Sequence, residues 1–158
     1  MKMIQINIPG WGNMEIENVV LDLNGTIATD GIIPSDVKEK INLLAQKVKV
    51  YLLTADTQGS ASHEIQGMNV ELVKVAEAES KKAKLEFLEG LNPERTIAIG
   101  NGSNDQLLLK EVGLGIAVLG NEGVSGTLLK HADVLVININ DALNLLLKPK
   151  RLMATLRE

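Results

Sequence analysis

Apolar residues recur along the chain in two kinds of pattern. Short continuous runs, such as "TIAIG" at 96–100 and "LGIAV" at 114–118, are typical of buried strands. Elsewhere the apolar residues are spaced three or four apart, as in "PSDVKEKINLLAQ" at 34–46, which is typical of helices that bury one face. The two patterns alternate along the chain. Because the strands are apolar without interruption, we expect a parallel sheet with helices on both faces.

The two patterns give each element a range in the sequence. Predicted strands cover 4–8, 16–23, 48–54, 69–75, 96–100, 114–118 and 134–137. Predicted helices cover 34–46 with Ser35 as N-cap, a stretch beginning near Gln58, 80–90, 104–112, 122–131, and 140–157 with a restart at Pro149. The turn cluster "PGWGN" at 9–13 predicts an N-terminal β-hairpin that leads into the first buried strand.

These elements suit a single domain. The chain has 158 residues, enough for one sizeable hydrophobic core. We expect an α/β protein, a three-layer α/β/α sandwich built on a Rossmann-like parallel sheet. Its parts are the hairpin at 1–18, the core at 19–147 and a C-terminal helix at 148–158.

The composition excludes several functional classes. The formal net charge is −4 and aromatic residues make up 2%, so the chain lacks the basic surface and the stacking platform that nucleic-acid binding uses. It contains no cysteine, which excludes disulfides and cysteine-based zinc sites. No apolar run approaches the roughly 20 residues of a membrane span, and the N-terminus does not resemble a secretory signal. We therefore expect a cytoplasmic protein that binds neither nucleic acid nor membranes.

Polar residues stand where three of the buried strands end. Asp22 ends the first of these strands, Thr54 ends the next, and Asn101 and Asp105 follow the strand at 96–100. The carboxyl ends of parallel strands share one edge of the sheet, so these side chains should lie close together. A carboxylate can attack phosphorus, a hydroxyl and an ammonium group can bind phosphoryl oxygens, and oxygen ligands can hold Mg²⁺. The pattern predicts phosphoryl transfer.

Four motifs together resemble the haloacid dehalogenase-like hydrolase superfamily. They are "LDLNGT" at 21–26, "LLTAD" at 52–56, a lysine-bearing helix and "IGNGSND" at 99–105, in the order of that family. Within it, the chain looks closest to a free-standing phosphorylation domain of P-type ATPases. Those pumps carry Asp-Lys-Thr-Gly-Thr, Thr-Gly-Asp and Gly-Asp-Gly-x-Asn-Asp motifs. The resemblance implies a Mg²⁺-dependent phosphohydrolase or phosphotransferase that forms an aspartyl phosphate.

The resemblance also implies roles for individual residues. Asp22 matches the nucleophile, and Thr54 matches the hydroxyl that binds the phosphoryl group. The implied metal ligands are Asp22, the backbone carbonyl of Asn24, Asn101 and Asp105, and the implied substrate-binding residues are Gly25, Thr26, Ala55 and Asp56. For Asp56, a role as the cap of the helix that follows Thr54 is an equally good interpretation. The lysine is left open, because Lys81 fits the "KxxK" pattern of the pumps whereas Lys84 suits the compact form of the family.

Two amides stand where the family commonly has acids. The residue two after the nucleophile usually protonates the leaving alcohol and deprotonates water, and Asn24 can do neither. Since general acid–base catalysis contributes roughly 10²–10⁴-fold, we expect slow turnover of unactivated esters. Asn101 removes one negative charge from the metal site, which predicts weaker Mg²⁺ binding. Two alternatives stay open: a catalytically impaired phosphate-binding or interaction module, and a phosphorylation domain that acts within a larger assembly.

The chain has no room for a cap domain over the site. About thirty residues separate Asp22 from Thr54, and one helix with its turns uses them. We therefore expect an open cleft that accepts a phosphorylated substrate, small or macromolecular, or that a neighbouring subunit closes. The hairpin offers an exposed strand edge with Trp11 at its tip, which favours a homo-oligomer.

Overall fold

The computed structural model describes residues 2–55 and 59–158. Its centre is a parallel sheet with the spatial strand order β5-β4-β3-β6-β7-β8. The strands of this sheet are β3 (Asn18–Asp22), β4 (Lys49–Thr54), β5 (Glu71–Lys74), β6 (Thr96–Gly100), β7 (Leu114–Val118) and β8 (Val134–Val136). An antiparallel hairpin of β1 (Ile4–Ile8) and β2 (Gly12–Ile16) forms a second, smaller sheet.

Helices cover both faces of the parallel sheet. They are α1 (Ser35–Ala45), α2 (Ser60–Glu64), α3 (Ser80–Glu89), α4 (Gln106–Glu111), α5 (Gly126–Leu129), α6 (Ile139–Leu147) and α7 (Pro149–Leu156). Successive side chains of a strand point to opposite faces, so Val19 and Leu21 of β3 pack with α1, α6 and α7, whereas Val20 packs with α3, α4 and α5. The three-layer α/β/α prediction is confirmed.

Strand register brings the ends of three strands to one level. Asp22 of β3 lies beside Leu53 of β4, one residue before Thr54. On the other side, Leu21 lies beside Ile99 of β6. The residues that follow β4 and β6 therefore flank Asp22 at the carboxyl edge of the sheet.

The hairpin is built differently from the prediction. Its turn runs from Ile8 to Trp11, whose N–H donates to the Ile8 carbonyl (2.9 Å), with Gly10 at φ +88°. The predicted strand at 16–23 divides at Glu17 into β2 and β3. At Glu17 the chain passes from the hairpin to the parallel sheet. The Glu17 N–H donates to the Arg95 carbonyl, and the Glu17 carbonyl accepts from the Lys49 N–H. Assembly through the hairpin stays a prediction.

Only short segments lie between β3 and β4. A tight turn reverses the chain at Asp30 (φ 52°) and Gly31 (φ 81°), and reciprocal hydrogen bonds between Thr29 and Ile32 close it. Helix α1 follows, with Pro34 at the cap position, so that the predicted N-cap Ser35 is instead its first residue. Residues 23–48 thus form no cap domain. None of the described helices combines the length and the apolar character that a membrane crossing requires.

Candidate active site

Asp22 is buried and lines a cleft of about 440 Å³ at the carboxyl edge of the sheet. The lining residues are Asp22, Asn24, Thr54, Ala55, Lys84, Asn101, Gly102, Ser103 and Asn104. They come from the ends of β3, β4 and β6 and from α3. The structure therefore brings together most of the residues that the sequence pattern placed at this edge.

Lys84 is the cation of the cleft. Its Nζ donates to Oδ1 of Asp22 at 3.1 Å, to Oδ1 of Asp105 at 2.7 Å and to Oδ1 of Asn104 at 3.1 Å. The lysine is 2% exposed, and these three acceptors use the three N–H groups of its ammonium. Lys84 is therefore held in one position against the carboxylate of Asp22.

The other candidate lysine points elsewhere. Lys81 is exposed on α3, and its Nζ donates to Oε1 of Gln106 at 3.2 Å. Lys82 is exposed as well. Of the lysines that the sequence left open, the structure brings Lys84 to Asp22.

The charges around Asp22 do not balance. Two buried carboxylates, Asp22 and Asp105, face the single ammonium of Lys84, which lies closer to Asp105. Burial, and after it the negative charge of Asp105, raise the pKa of Asp22 from its ordinary 3.8 to about 7 against the opposing charge of Lys84. Burial lowers the pKa of Lys84, but the charges of Asp22 and Asp105 outweigh burial and raise it overall. When both carboxylates are ionised, one negative charge is left in excess at Asp22.

The oxygen atoms of the cleft fit a hard divalent cation. A carboxylate oxygen of Asp22, the backbone carbonyl of Asn24 and Oδ1 of Asn101 come from cleft-lining residues and could hold Mg²⁺. In the described ranges, no three His, Cys, Asp or Glu side chains form a group that could hold a metal. Mg²⁺ suits the oxygens of Asp22, Asn24 and Asn101, because it takes one or two protein carboxylates and keeps several waters. The negative charge at Asp22 that Lys84 does not neutralise favours the binding of a dication.

Asp105 lies behind Lys84 and not in the cleft lining. It has no exposed surface, and both its oxygens are used: Oδ1 accepts from Lys84 and Oδ2 accepts from the Gly102 N–H at 3.2 Å. This arrangement favours a role in positioning Lys84 over the predicted direct coordination of a metal.

Asn101 connects the cleft to the loop after β7. Oδ1 of Asn101 accepts from Oγ1 of Thr26 at 3.1 Å, and the same hydroxyl lies 3.2 Å from Oδ2 of Asp22. Nδ2 of Asn101 donates to the Gly123 carbonyl at 3.1 Å, which an aspartate could not do. Gly25 is required beside it, because its φ is +82° and a Cβ there would lie 2.5 Å from Nδ2 of Asn101.

The remaining predicted residues also lie around Asp22. Thr54 is 2% exposed at the end of β4, and Ala55 is half-buried beside it. Asn24 presents an exposed side chain to the cleft. Asp56 falls outside the described residues, so its proposed part in substrate binding stays a prediction.

Sequence reasoning missed two residues that hold the site together. Asn104 accepts from Lys84, and its Nδ2 donates to Oγ of Ser80 at 3.2 Å, so it fixes the lysine from a second side. Gly100 leaves space for Asp105, because a Cβ at position 100 would lie 2.5 Å from Oδ2 of Asp105. The Asn-Asp pair that ends "IGNGSND" was the available signal for Asn104.

Known proteins resemble this chain in sequence and in fold. The sequence profile of haloacid dehalogenase-like hydrolases matches residues 75–142. An uncharacterised protein of Methanocaldococcus jannaschii is 51% identical over 82 residues, which cover 49% of this chain and 88% of that protein. A soluble P-type ATPase-like phosphatase of the same organism is 31% identical over 142 residues, 86% of this chain and 51% of that protein. The chain thus spans about half the length of that phosphatase.

A solved structure shares the fold at low sequence identity. The cobalt-bound deoxy-D-mannose-octulosonate 8-phosphate phosphatase of Haemophilus influenzae aligns with a TM-score of 0.69 and 14% identity, over 90% of this chain and 94% of that one. The sequence profile and the 31%-identical phosphatase, together with this fold, support a hydrolase. The chain belongs to the haloacid dehalogenase-like hydrolase superfamily.

Proposed function

We propose that this protein is a Mg²⁺-dependent phosphohydrolase and phosphotransferase in which Asp22 carries the phosphoryl group as an aspartyl phosphate. The contact between Lys84 Nζ and Oδ1 of Asp22 (3.1 Å), in a cleft that also contains Thr54, supports this proposal most. A screen of phosphate esters with and without Mg²⁺, with an Asp22 variant as control, tests it.

Hydrolysis on this site takes two displacements. A carboxylate oxygen of Asp22 attacks phosphorus, and the bond to the ester oxygen breaks to release the alcohol. Water then attacks the acyl phosphate, which releases inorganic phosphate and restores the carboxylate. The Lys84 N–H that donates to Oδ1 of Asp22 turns to a phosphoryl oxygen, and the Thr54 hydroxyl binds another, in both steps, where negative charge has to be stabilised. Mg²⁺, when held by Asp22, Asn24 and Asn101, supplies further neutralisation of that charge.

Asn24 makes both displacements slow. The departing alkoxide must take its proton from water, and the attacking water has no carboxylate to accept its proton, since an amide does not titrate. Esters with good leaving groups, such as p-nitrophenyl phosphate and acetyl phosphate, depend less on the missing acid. The acyl phosphate should be comparatively long-lived, because its breakdown depends on the activation of water.

An Asn24→Asp variant should hydrolyse unactivated phosphate esters faster, by about 10-fold or more. Asn24 is exposed and lines the cleft, so a carboxyl group at this position meets the substrate without new burial. The gain in kcat should be larger for glycerol phosphate than for p-nitrophenyl phosphate. Asn13→Asp, the same change at an exposed position of the hairpin, serves as the control. No gain for glycerol phosphate would show that the acid at position 24 does not limit turnover.

An Asn101→Asp variant should bind Mg²⁺ more tightly and fold less stably. The added negative charge strengthens the cation site, but one carboxylate oxygen would then face the Gly123 carbonyl that now accepts from Nδ2 at 3.1 Å. Losing that hydrogen bond should reduce the free energy of unfolding without metal by about 1–3 kcal/mol.

Mg²⁺ titration and denaturant unfolding measure the two effects of this change. Asn121→Asp adds the same charge at an exposed position in the loop after β7 and serves as the control. Unchanged Mg²⁺ affinity in Asn101→Asp would remove Asn101 from the proposed ligands.

A second candidate function is a phosphate-binding module that turns over no substrate. The amide at position 24 favours it, because this residue lines the cleft and cannot transfer protons. The two candidates differ in one observable. A binding module retains phosphate without forming the covalent adduct that mass spectrometry detects after treatment with acetyl phosphate.

A further inference from the structure

We propose that three hydroxyl groups at the lip of the cleft form a subsite for an uncharged, hydroxyl-bearing leaving group. They belong to Ser103, Ser125 and Thr127 and are called the hydroxyl cluster below. This inference rests on the proposed phosphohydrolase function and concerns the part of the substrate that departs.

The hydroxyl cluster begins inside the cleft and leads out of it. Oγ of Ser103 lies 2.7 Å from Oγ of Ser125 and 3.4 Å from Oγ1 of Thr127, and the last two atoms are 2.8 Å apart. Ser103 lines the cleft together with Asp22. Ser103 and Thr127 are exposed and Ser125 is half-buried. A substrate with its phosphorus at Asp22 can therefore place its leaving group against these hydroxyls.

The Ser125 hydroxyl contacts the other two hydroxyls of the cluster and does not cap its own helix. Ser125 stands at the N-cap position of α5, where a serine hydroxyl normally accepts a backbone N–H of the first turn and stabilises the helix by about 1 kcal/mol. In the described structure its side chain makes no such capping bond. The hydroxyl contacts Ser103 and Thr127 instead, so the cluster is not a by-product of helix capping.

The hydroxyl cluster is fixed relative to the proposed metal site. The Ser125 N–H donates to the backbone carbonyl of Asn101 at 2.8 Å, and Nδ2 of Asn101 donates to the Gly123 carbonyl. The loop that carries Ser125 is therefore attached at two points to a residue of the cleft. Fixed polar groups of this kind orient a substrate, because they need no rearrangement when it binds.

The chemistry of the hydroxyl cluster selects for hydroxyl groups over anions. Three hydroxyls supply three protons, and the two short contacts within the cluster use two of them. The third contact within the cluster, at 3.4 Å, is long and weak, so the third proton can turn to a ligand, and lone pairs remain to accept, which suits partners that both donate and accept. A second phosphate or a carboxylate needs several donors, and within the described chain the hydrogen bonds of these hydroxyls run only among themselves. A polyol or sugar alcohol is the matching leaving group.

Equilibrium binding to an Asp22→Asn background tests the subsite without depending on turnover. The probes are sorbitol 6-phosphate and inorganic phosphate, each measured by calorimetry in the presence of Mg²⁺. Combining Ser103→Ala, Ser125→Ala and Thr127→Val should weaken sorbitol 6-phosphate about 10-fold more than inorganic phosphate, as expected for the loss of one or two hydrogen bonds. Thr155→Val removes an exposed hydroxyl of α7 and serves as the matched control.

The outcomes separate this inference from the proposed function. An equal change for both probes, or no change for either, overturns the hydroxyl subsite. Preferential weakening of sorbitol 6-phosphate supports it, whether or not the parent protein turns over substrate. The proposed function fails separately, if the parent protein hydrolyses neither p-nitrophenyl phosphate nor acetyl phosphate in an Asp22-dependent manner.

Discussion

An Asp22→Asn variant should lose phosphatase activity by a factor on the order of 10³ or more and should form no covalent adduct with acetyl phosphate. The amide has the size of the carboxyl group and can still accept from Lys84, so the cleft keeps its shape. It lacks the nucleophilic oxygen that attacks phosphorus. Hydrolysis of p-nitrophenyl phosphate and mass spectrometry measure the two losses. Activity or an adduct that survives the change would show that Asp22 is not the nucleophile.

The same variant should fold more stably than the parent protein at alkaline pH in the absence of metal. The pKa of Asp22 is raised from 3.8 to about 7 in the folded state, so the folded protein binds this proton more tightly than the unfolded chain does. The contribution of Asp22 to stability therefore falls as pH rises from about 4 to 7. An asparagine has no such loss, and the stability difference should be larger at pH 8 than at pH 5. Asp30→Asn, in an exposed turn, controls for the change itself.

A Lys84→Met variant should lose both activity and stability. Methionine fills much of the same volume but leaves the buried carboxylates of Asp22 and Asp105 without their ammonium partner. Removing one partner of a buried ion pair costs about 3–5 kcal/mol of the free energy of unfolding. Activity should fall about 10²-fold or more, because the phosphoryl oxygens lose a cation. Denaturant unfolding and kcat measure the two effects.

Lys81→Met is the matched control for this change. Lys81 is exposed on the same helix and donates to Gln106, so its loss should change stability by about 0.5 kcal/mol or less. A loss of activity in Lys81→Met together with normal activity in Lys84→Met would assign the phosphate-binding lysine to position 81, as in the "KxxK" pattern of the pumps.

The elements with clear local signals could be predicted from the sequence. β6 and β7 have the predicted bounds, because their apolar runs are continuous and end where polar loops begin. β2 was not foreseen as a separate strand, since "GNMEI" shows little apolar alternation and pairs only because β1 lies beside it. Helix α5 covers Gly126–Leu129, much less than the predicted 122–131, and Gly123 before it adopts a φ of +84°.

The residues of the candidate site also fall into those that could be predicted from the sequence and those that could not. The strand ends that carry Asp22, Thr54 and Asn101 could be located, because strand periodicity and turn chemistry are local properties of the sequence. The choice between Lys81 and Lys84 could not be made, since it depends on how α3 is rotated against the turn that carries Asp105. The donor role of Asn101 depends on the Gly123 carbonyl, which lies 22 residues further along the chain.

The short Asp30–Gly31 turn has a kinetic consequence. In the described chain, the stretch between β3 and β4 carries that turn and α1 but no inserted domain that would have to swing aside before a substrate enters or a product diffuses away. In many hydrolases such opening motions set the pace of the catalytic cycle. In this protein the slowest event is instead expected to be a bond-breaking one: release of the alcohol for unactivated esters such as glycerol phosphate, and hydrolysis of the phosphorylated enzyme for p-nitrophenyl phosphate.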